Sequence, residues 1–200
     1  NTLYSWTLPT YNPGGTLSGG AAQVTGVSSI GQTLLNSTVN SAIATYTVTP
    51  TSGSCPGNPF TVAVTVQPIP VVANHALTVC SGTAFSYTPT NTPLGTTYTW
   101  LNPVIAPVNT LLGGSAQTIG QNQISQTLTG TNTLTNSATY TVTPSANGCI
   151  GTNFSLAVTV NPTPVISNFA VGYFALNSSI TVNTDGELIV EVKKTICLPA

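Results

Sequence analysis

The chain has almost no charge. Two of its 200 residues are lysine and three are acidic, so 2% of the sequence is charged, against about a quarter in ordinary soluble domains. All five charges fall at Asp185, Glu187, Glu191, Lys193 and Lys194, and residues 1–184 carry none. Without Lys or Arg to neutralise phosphates, nucleic acid is excluded as a partner. Electrostatic attachment to an anionic membrane surface fails for the same reason. No apolar run reaches the roughly 18–20 residues of a spanning helix, so membrane insertion is not expected. Methionine is absent and no signal-peptide pattern opens at Asn1, so the sequence reads as a processed product or a fragment.

Catalytic groups are as scarce. His75 is the only histidine and Asp185 the only aspartate, and a Ser-His-Asp triad needs both beside one activated serine. Paired carboxylates for glycoside hydrolysis have only Asp185, Glu187 and Glu191 to draw on, on one short segment rather than across a cleft. Calcium prefers several carboxylate oxygens, which only this charged tail offers. The four cysteines, at 55, 80, 149 and 197, form no CxxC pair, so zinc spacing is missing. The expectation is a protein that is not an enzyme and uses no catalytic residue, metal or cofactor. Disulfides are the better use of the cysteines and place the chain in an oxidising, extracellular setting.

What the chain does have is a repeat. Ala44-Thr-Tyr-Thr-Val-Thr-Pro50 recurs as Ala138-Thr-Tyr-Thr-Val-Thr-Pro144, an offset of 94 residues (138 minus 44). At that offset Tyr4 and Trp6 match Tyr98 and Trp100, Gln32-Thr-Leu34 matches Gln126-Thr-Leu128, Cys55 matches Cys149, and Phe60–Val66 matches Phe154–Val160. Apolar residues alternate with Thr, Ser or Ala in these runs, the period-two pattern of a half-buried strand. A period this long sets the unit of folding. The prolines at 50 and 144 are expected to stop their strands, and Gln67-Pro-Ile-Pro70 and Asn161-Pro-Thr-Pro164 to make semi-rigid joints.

Short β-rich runs separated by Gly, Pro, Asn and Ser clusters predict an all-β fold of tandem antiparallel β-sandwiches. The expected units are residues 1–70, lacking the first strands; 71–164, complete; and a C-terminal β segment, 165–200. In the second unit strands are expected near 76–80, 84–88, 96–101, 115–119, 124–129, 137–143 and 154–161. In the tail, Ile180–Val182 and Leu188–Val192 flank Asn183-Thr-Asp-Gly186 and read as a hairpin. Residues 71–94 have no counterpart before Asn1, so the first unit is expected to expose unpaired strand edge and part of its core.

The set Val79-Cys-Ser-Gly-Thr-Ala-Phe85, Gly95-Thr-Thr-Tyr-Thr-Trp100, Gln126-Thr-Leu128, Ala138–Pro144 and Gly148-Cys149 resembles the PKD-like repeats of secreted and cell-surface proteins of Bacteroidetes. The resemblance covers about 71–166 as a whole unit and 1–70 as a partial one. It implies immunoglobulin-like sandwiches used in tandem in adhesins, gliding-associated surface proteins and multidomain secreted proteins, and implies no catalytic residues.

Within this frame Cys80 and Cys149, at the start and the late turn of the complete unit, are expected to be bonded, contributing about 4 kcal/mol in the loop-entropy model. Cys55 lacks the corresponding partner, and Lys194-Thr-Ile-Cys197 resembles Leu77-Thr-Val-Cys80. One reading is that the tail of one chain completes the first unit of the next by strand addition with a Cys55–Cys197 disulfide, a head-to-tail contact that generates a filament; the alternative is an excised fragment whose missing strands lie upstream, with Cys197 paired elsewhere. Tyr4, Trp6, Tyr98 and Trp100 are expected to be packing residues, with a sugar-stacking platform as the alternative. Asn36, Asn153 and Asn177 head N-glycosylation triplets, a common chance match in Asn- and Thr-rich sequence. The functional expectation is a secreted or cell-surface structural protein that self-associates as a stalk, adhesive fibre or filament. The alternative is a carbohydrate- or protein-binding module of a larger secreted enzyme or adhesin, and a cell-surface or glycan partner fits either.

Overall fold

The structure, a computed structural model, describes residues 1–164 and the backbone of 178–182 and 188–192. Residues 1–163 form one compact unit and 164–200 a second. The first unit contains both repeats, here called module 1 (1–70) and module 2 (71–164). All regular structure among the described residues is β. Module 1 carries β1 (Thr2–Trp6), β2 (Thr10–Asn12), β3 (Leu17–Ser18), β4 (Gln23–Val27), β5 (Leu35–Asn36), β6 (Ala42–Ser52), β7 (Cys55–Pro56) and β8 (Phe60–Val66). Module 2 carries β9 (His75–Cys80), β10 (Ala84–Tyr87), β11 (Thr97–Trp100), β12 (Val104–Ala106), β13 (Leu111–Leu112) and β14 (Gln117–Gln121). It continues with β15 (Ile124–Thr127), β16 (Thr129–Gly130), β17 (Asn136–Ala146), β18 (Cys149–Ile150) and β19 (Phe154–Asn161). In the second unit β20 (Ser178–Val182) and β21 (Leu188–Val192) pair antiparallel, as the tail pattern predicts.

Each module is built on its long strand, β6 or β17. In module 2 the large sheet runs β14-β11-β17-β19-β9, with β12 beside β11 along one edge of β17 and β18 beside β19 along the other. The opposing layer is made of the pairs β10–β15 and β13–β16. The alternation read in the sequence is obeyed: Ala138, Tyr140 and Val142 of β17 and Phe154, Leu156, Val158 and Val160 of β19 are buried, because successive side chains on a strand point to opposite faces. With Phe85, Trp100, Leu111, Ile124 and Leu128 they form one core.

Pro50 and Pro144 do not end their strands, contrary to expectation. β6 and β17 run two residues past them, and both prolines pair across to a tyrosine, Tyr4 and Tyr98. On the other edge the Pro50 carbonyl accepts from Gly57 N–H at 2.8 Å and the Pro144 carbonyl from Gly151 N–H at 2.9 Å. The N and C=O of a strand residue point to the same side, so each missing donor falls in the break between two partner strands, β8 and β7 or β19 and β18. The loss is confined to the reciprocal of that one bond, at an interruption where a proline is tolerated, and the ladder to the tyrosine strand stays intact.

Glycine is required at 19 and 113. Both have φ of +89°, and a Cβ at either would run into a backbone carbonyl of the facing segment, that of Thr33 or Thr127. At the joint Pro68 and Pro70 are fully buried, and Gly151 of module 2 lies against the Pro70 carbonyl. The joint is therefore packed against module 2 as well as stiffened by its prolines.

Candidate functional site

The two modules share sequence along β8 and β19 but not burial. Phe154, Leu156, Val158 and Val160 are 0–3% exposed, whereas Phe60 is 42% and Val64 38% exposed, with Val62 and Val66 half-buried. The difference has one cause. In module 2 the outer edge of β19 pairs in parallel with β9, in the register Leu156–His75 to Asn161–Cys80. Among the described residues no strand pairs with the outer edge of β8, whose only ladder is to β6.

The second layer repeats the contrast. In module 2 β10 pairs with β15 from Ala84–Thr127 to Tyr87–Ile124, and Phe85 enters the core beside Tyr140. The equivalents of β15 in module 1, residues 30–33, form no strand. Ile30 is 38% exposed where its counterpart Ile124 is fully buried. A segment that spans both layers is thus lacking, and its place is an apolar cleft of about 270 Å³ lined by Ile30, Gln32, Leu34, Tyr46, Val62 and Val64.

The polar floor of the cleft is already organised. Tyr46 Oη donates to Gln32 Oε1 at 2.9 Å, as Tyr140 Oη does to Gln126 Oε1 at 2.8 Å. Gln32 is fixed in turn by Ala21, whose N–H it accepts at 3.0 Å and to whose carbonyl it donates at 2.7 Å. Burial pushes the Tyr140 hydroxyl up to about 12. Tyr46 is raised too, first by burial and then by Tyr11. These groups are bonded and neutral, so the cleft offers strand edge and apolar surface rather than acid–base chemistry.

The cysteines are placed differently from the expectation. Cys55, Cys80 and Cys149 are free thiols. Cys80 lies opposite Asn161, at the end of the sheet where β17 begins, and Cys149 pairs with Ala146, where β17 ends. Ten residues at about 3.3 Å each put them roughly 30 Å apart, while a disulfide needs Cα atoms within about 7 Å. The intramodule Cys80–Cys149 bond is therefore corrected: the two occupy opposite poles of one module. The same register bears on the Cys55–Cys197 expectation. A strand set against β8 as β9 is set against β19 places its cysteine opposite Gln67, whereas Cys55 pairs with Ser52 at the far end of β6. Strand addition in that register and a bond to Cys55 do not go together. Cys197 itself lies outside the described residues.

The aromatic side chains are packing residues, as expected, and the alternative of a sugar-stacking platform does not hold. Trp6 and Trp100 are 5% exposed and Tyr98 1%. Each indole N–H donates inward at 3.0 Å, to the Ala21 or Ser115 carbonyl. Sugar stacking needs an open ring face, which these do not present; Tyr4 is half-buried against Phe60. His75 stacks on Tyr87 with centroids 4.1 Å apart. Its triad partner Asp185 and the carboxylate Glu187 lie outside the described residues, and Glu191 is placed only by its backbone in β21.

Asn36 is a buried structural residue. Its amide donates to the Asn40 and Val66 carbonyls at 2.8 and 2.9 Å and its oxygen accepts from Thr38, leaving no free amide for a sugar. Asn153 is exposed and accepts from the Thr143 hydroxyl at 2.8 Å, and Asn177 is outside the described residues.

No helix among the described residues is long and apolar enough to cross a membrane. No curated protein matches the chain. The model of the PKD-like domain matches residues 1–70 and 77–164, the two stretches that the structure folds as similar β-sandwiches. Among the described residues one of the two units has a closed strand edge and the other an open one, and the chain belongs to the PKD-like domain family, with two tandem immunoglobulin-like units.

Proposed function

We propose that the chain is an extracellular, non-enzymatic structural protein whose tandem sandwiches form a stalk, adhesive fibre or filament, and that it associates head to tail by strand completion at the open edge of module 1. The observation that carries the reading is the contrast between β19, covered by β9, and β8, which has the same alternation and no second pairing strand among the described residues. An uncovered apolar edge is a template for pairing with another chain, and a heterologous contact of this kind extends without closing. The buried joint prolines support a mechanical role, since they limit bending between successive modules.

The surface chemistry fits this reading. With no charged side chain in residues 1–184, association through the modules depends on backbone ladders and apolar burial and is insensitive to ionic strength. The test is sedimentation of the purified 200-residue chain over a concentration series at low and high salt, with electron microscopy of the heaviest fraction. Open-ended oligomers that persist in salt are expected. A monomer at every concentration, or assembly abolished by salt, overturns the reading.

A further inference from the structure

Both modules carry a second kind of cavity, on the outer face of the large sheet. In module 2 the pairing of β11 with β14 is bulged: Tyr98 meets Gln121 and Trp100 meets Gln117, so an advance of two residues on β11 answers one of four on β14. Module 1 has the same bulge, with Tyr4 opposite Val27 and Trp6 opposite Gln23. At each bulge lies a cavity of about 240 Å³. That of module 2 is lined by Thr99, Trp100, Leu101, Gln117, Thr118 and Thr143, and the counterparts of all six at the repeat offset line that of module 1. We infer that these twin cavities are binding sites for a neutral saccharide, one pyranose unit in each. The inference needs neither the edge of β8 nor a second chain, and so stands apart from the head-to-tail reading.

Four positions keep their chemistry between the modules: a hydroxyl at 5 and 99, an indole at 6 and 100, an amide at 23 and 117, and a hydroxyl at 49 and 143. The other two exchange it. Thr7 corresponds to Leu101 while Val24 corresponds to Thr118, so each cavity gains one further hydroxyl and one aliphatic side chain. All four of these residues are exposed, and core packing does not dictate their chemistry. The same inventory is thus kept where the fold does not demand it.

That inventory selects the ligand. Hydroxyls and amides both donate and accept, which matches a molecule whose own hydroxyls do both, and the aliphatic side chain suits the C–H face of a sugar ring. Residues 1–184 hold no charged side chain, so an ionised group would enter without a counter-charge. Two of the polar groups are held in place. The Thr143 hydroxyl donates to Asn153 Oδ1 at 2.8 Å, which leaves its oxygen to accept, and Gln23 Nε2 donates to the Thr25 carbonyl at 2.8 Å. The volume lies below the roughly 300–1,000 Å³ of sites for drug-sized ligands, which limits each cavity to a single ring. A peptide strand is the poorer occupant, because a bulge bends the edge strand and disrupts the ladder that strand addition extends.

The experiment titrates the 200-residue chain, isotopically labelled for NMR, with cellobiose, N,N′-diacetylchitobiose and mannobiose in turn, and with an end-blocked tetrapeptide of alternating threonine and valine. At least one disaccharide is expected to shift the amides of 99–101 and 117–120 and, in parallel, those of 5–7 and 23–26, while the peptide moves neither set. Thr99→Val keeps the β-branched shape and removes one hydroxyl. It is expected to weaken binding at module 2 about fivefold, the worth of one hydrogen bond, and to leave module 1 unchanged as an internal control; Ser5→Ala is expected to do the reverse. Unmoved amides elsewhere in each variant's spectrum show that the fold is kept. No shift with any of the three sugars at tens of millimolar, shifts confined to other surfaces, equal shifts with the peptide, or an unchanged module 2 titration in Thr99→Val overturns the inference.

Discussion

Phe60 and Phe154 are matched probes of the open and closed edges. Each makes an edge-on contact with a tyrosine two strands away in the same sheet, across β6 or β17, Phe60 with Tyr4 at 6.5 Å and 90°, Phe154 with Tyr98 at 6.4 Å and 89°. The aromatic contribution therefore cancels in a comparison, and burial remains: 42% exposure for Phe60 against 3% for Phe154. For a side chain burying about 200 Å², the difference is about 80 Å². At roughly 25 cal/mol per Å² that amounts to about 2 kcal/mol. Phe154→Ala is expected to cost module 2 about 3–5 kcal/mol, and Phe60→Ala to cost module 1 about 2 kcal/mol less. The assay is hydrogen exchange at β6 and β17 amides across a denaturant series, at concentrations low enough to keep the chain monomeric. In thermal scans the gap corresponds to about 10 °C for a domain of this size. Equal costs, or a larger cost at Phe60, would refute the argument by showing that the edge of β8 is covered in solution.

Two further perturbations separate other parts of the reasoning. Gly57 and Gly151 make the same bond to their prolines, but a Cβ at 151 runs into the Pro70 carbonyl and comes within 2.9 Å of Pro144 Cγ, whereas at 57 the nearest atom is Pro50 Cγ at 3.1 Å. Gly151→Ala is expected to cost about 1–3 kcal/mol and to raise exchange at residues 69–74, with Gly57→Ala clearly milder; similar effects at both sites would show that the joint is not packed as described. The Tyr140 hydroxyl, held up to about 12 by burial, has a folded value above its unfolded value of about 10. Its stabilising contribution is therefore complete below pH ~10 and is lost as pH rises through about 12. Tyr140→Phe is expected to lose about 1 kcal/mol at neutral pH with the bond to Gln126 and to flatten the alkaline decline. Denaturant midpoints from pH 9 to 12 that fall in parallel for both proteins would contradict this.

The all-β class, the 94-residue period and most strand positions were legible because period-two alternation depends only on the geometry of a strand, wherever it lies in the chain. The contrast between β8 and β19 was legible for a related reason: at the repeat offset residues 75–87 have no counterpart among the described residues. The proline signal misled, since whether Pro50 interrupts a ladder depends on which neighbour faces its nitrogen. The aromatic side chains were open to two readings because Trp6 on a strand looks the same from the sequence whether its ring faces a core or a ligand. The contribution of residues 30–33 to the cleft was missed, although the match of Ile30 to Ile124 was available as a signal.

By itself the sequence determined the repeat, the sandwich class and the near absence of charged partner chemistry, because these follow from local alternation and composition. Only the tertiary structure decided where the cysteines stand and which side chains line the edge of β8. Pairing and burial depend on which distant strands meet and in what register: a parallel β9 sends Cys80 to one pole while the β17–β18 turn holds Cys149 at the other, a separation that linear spacing does not encode.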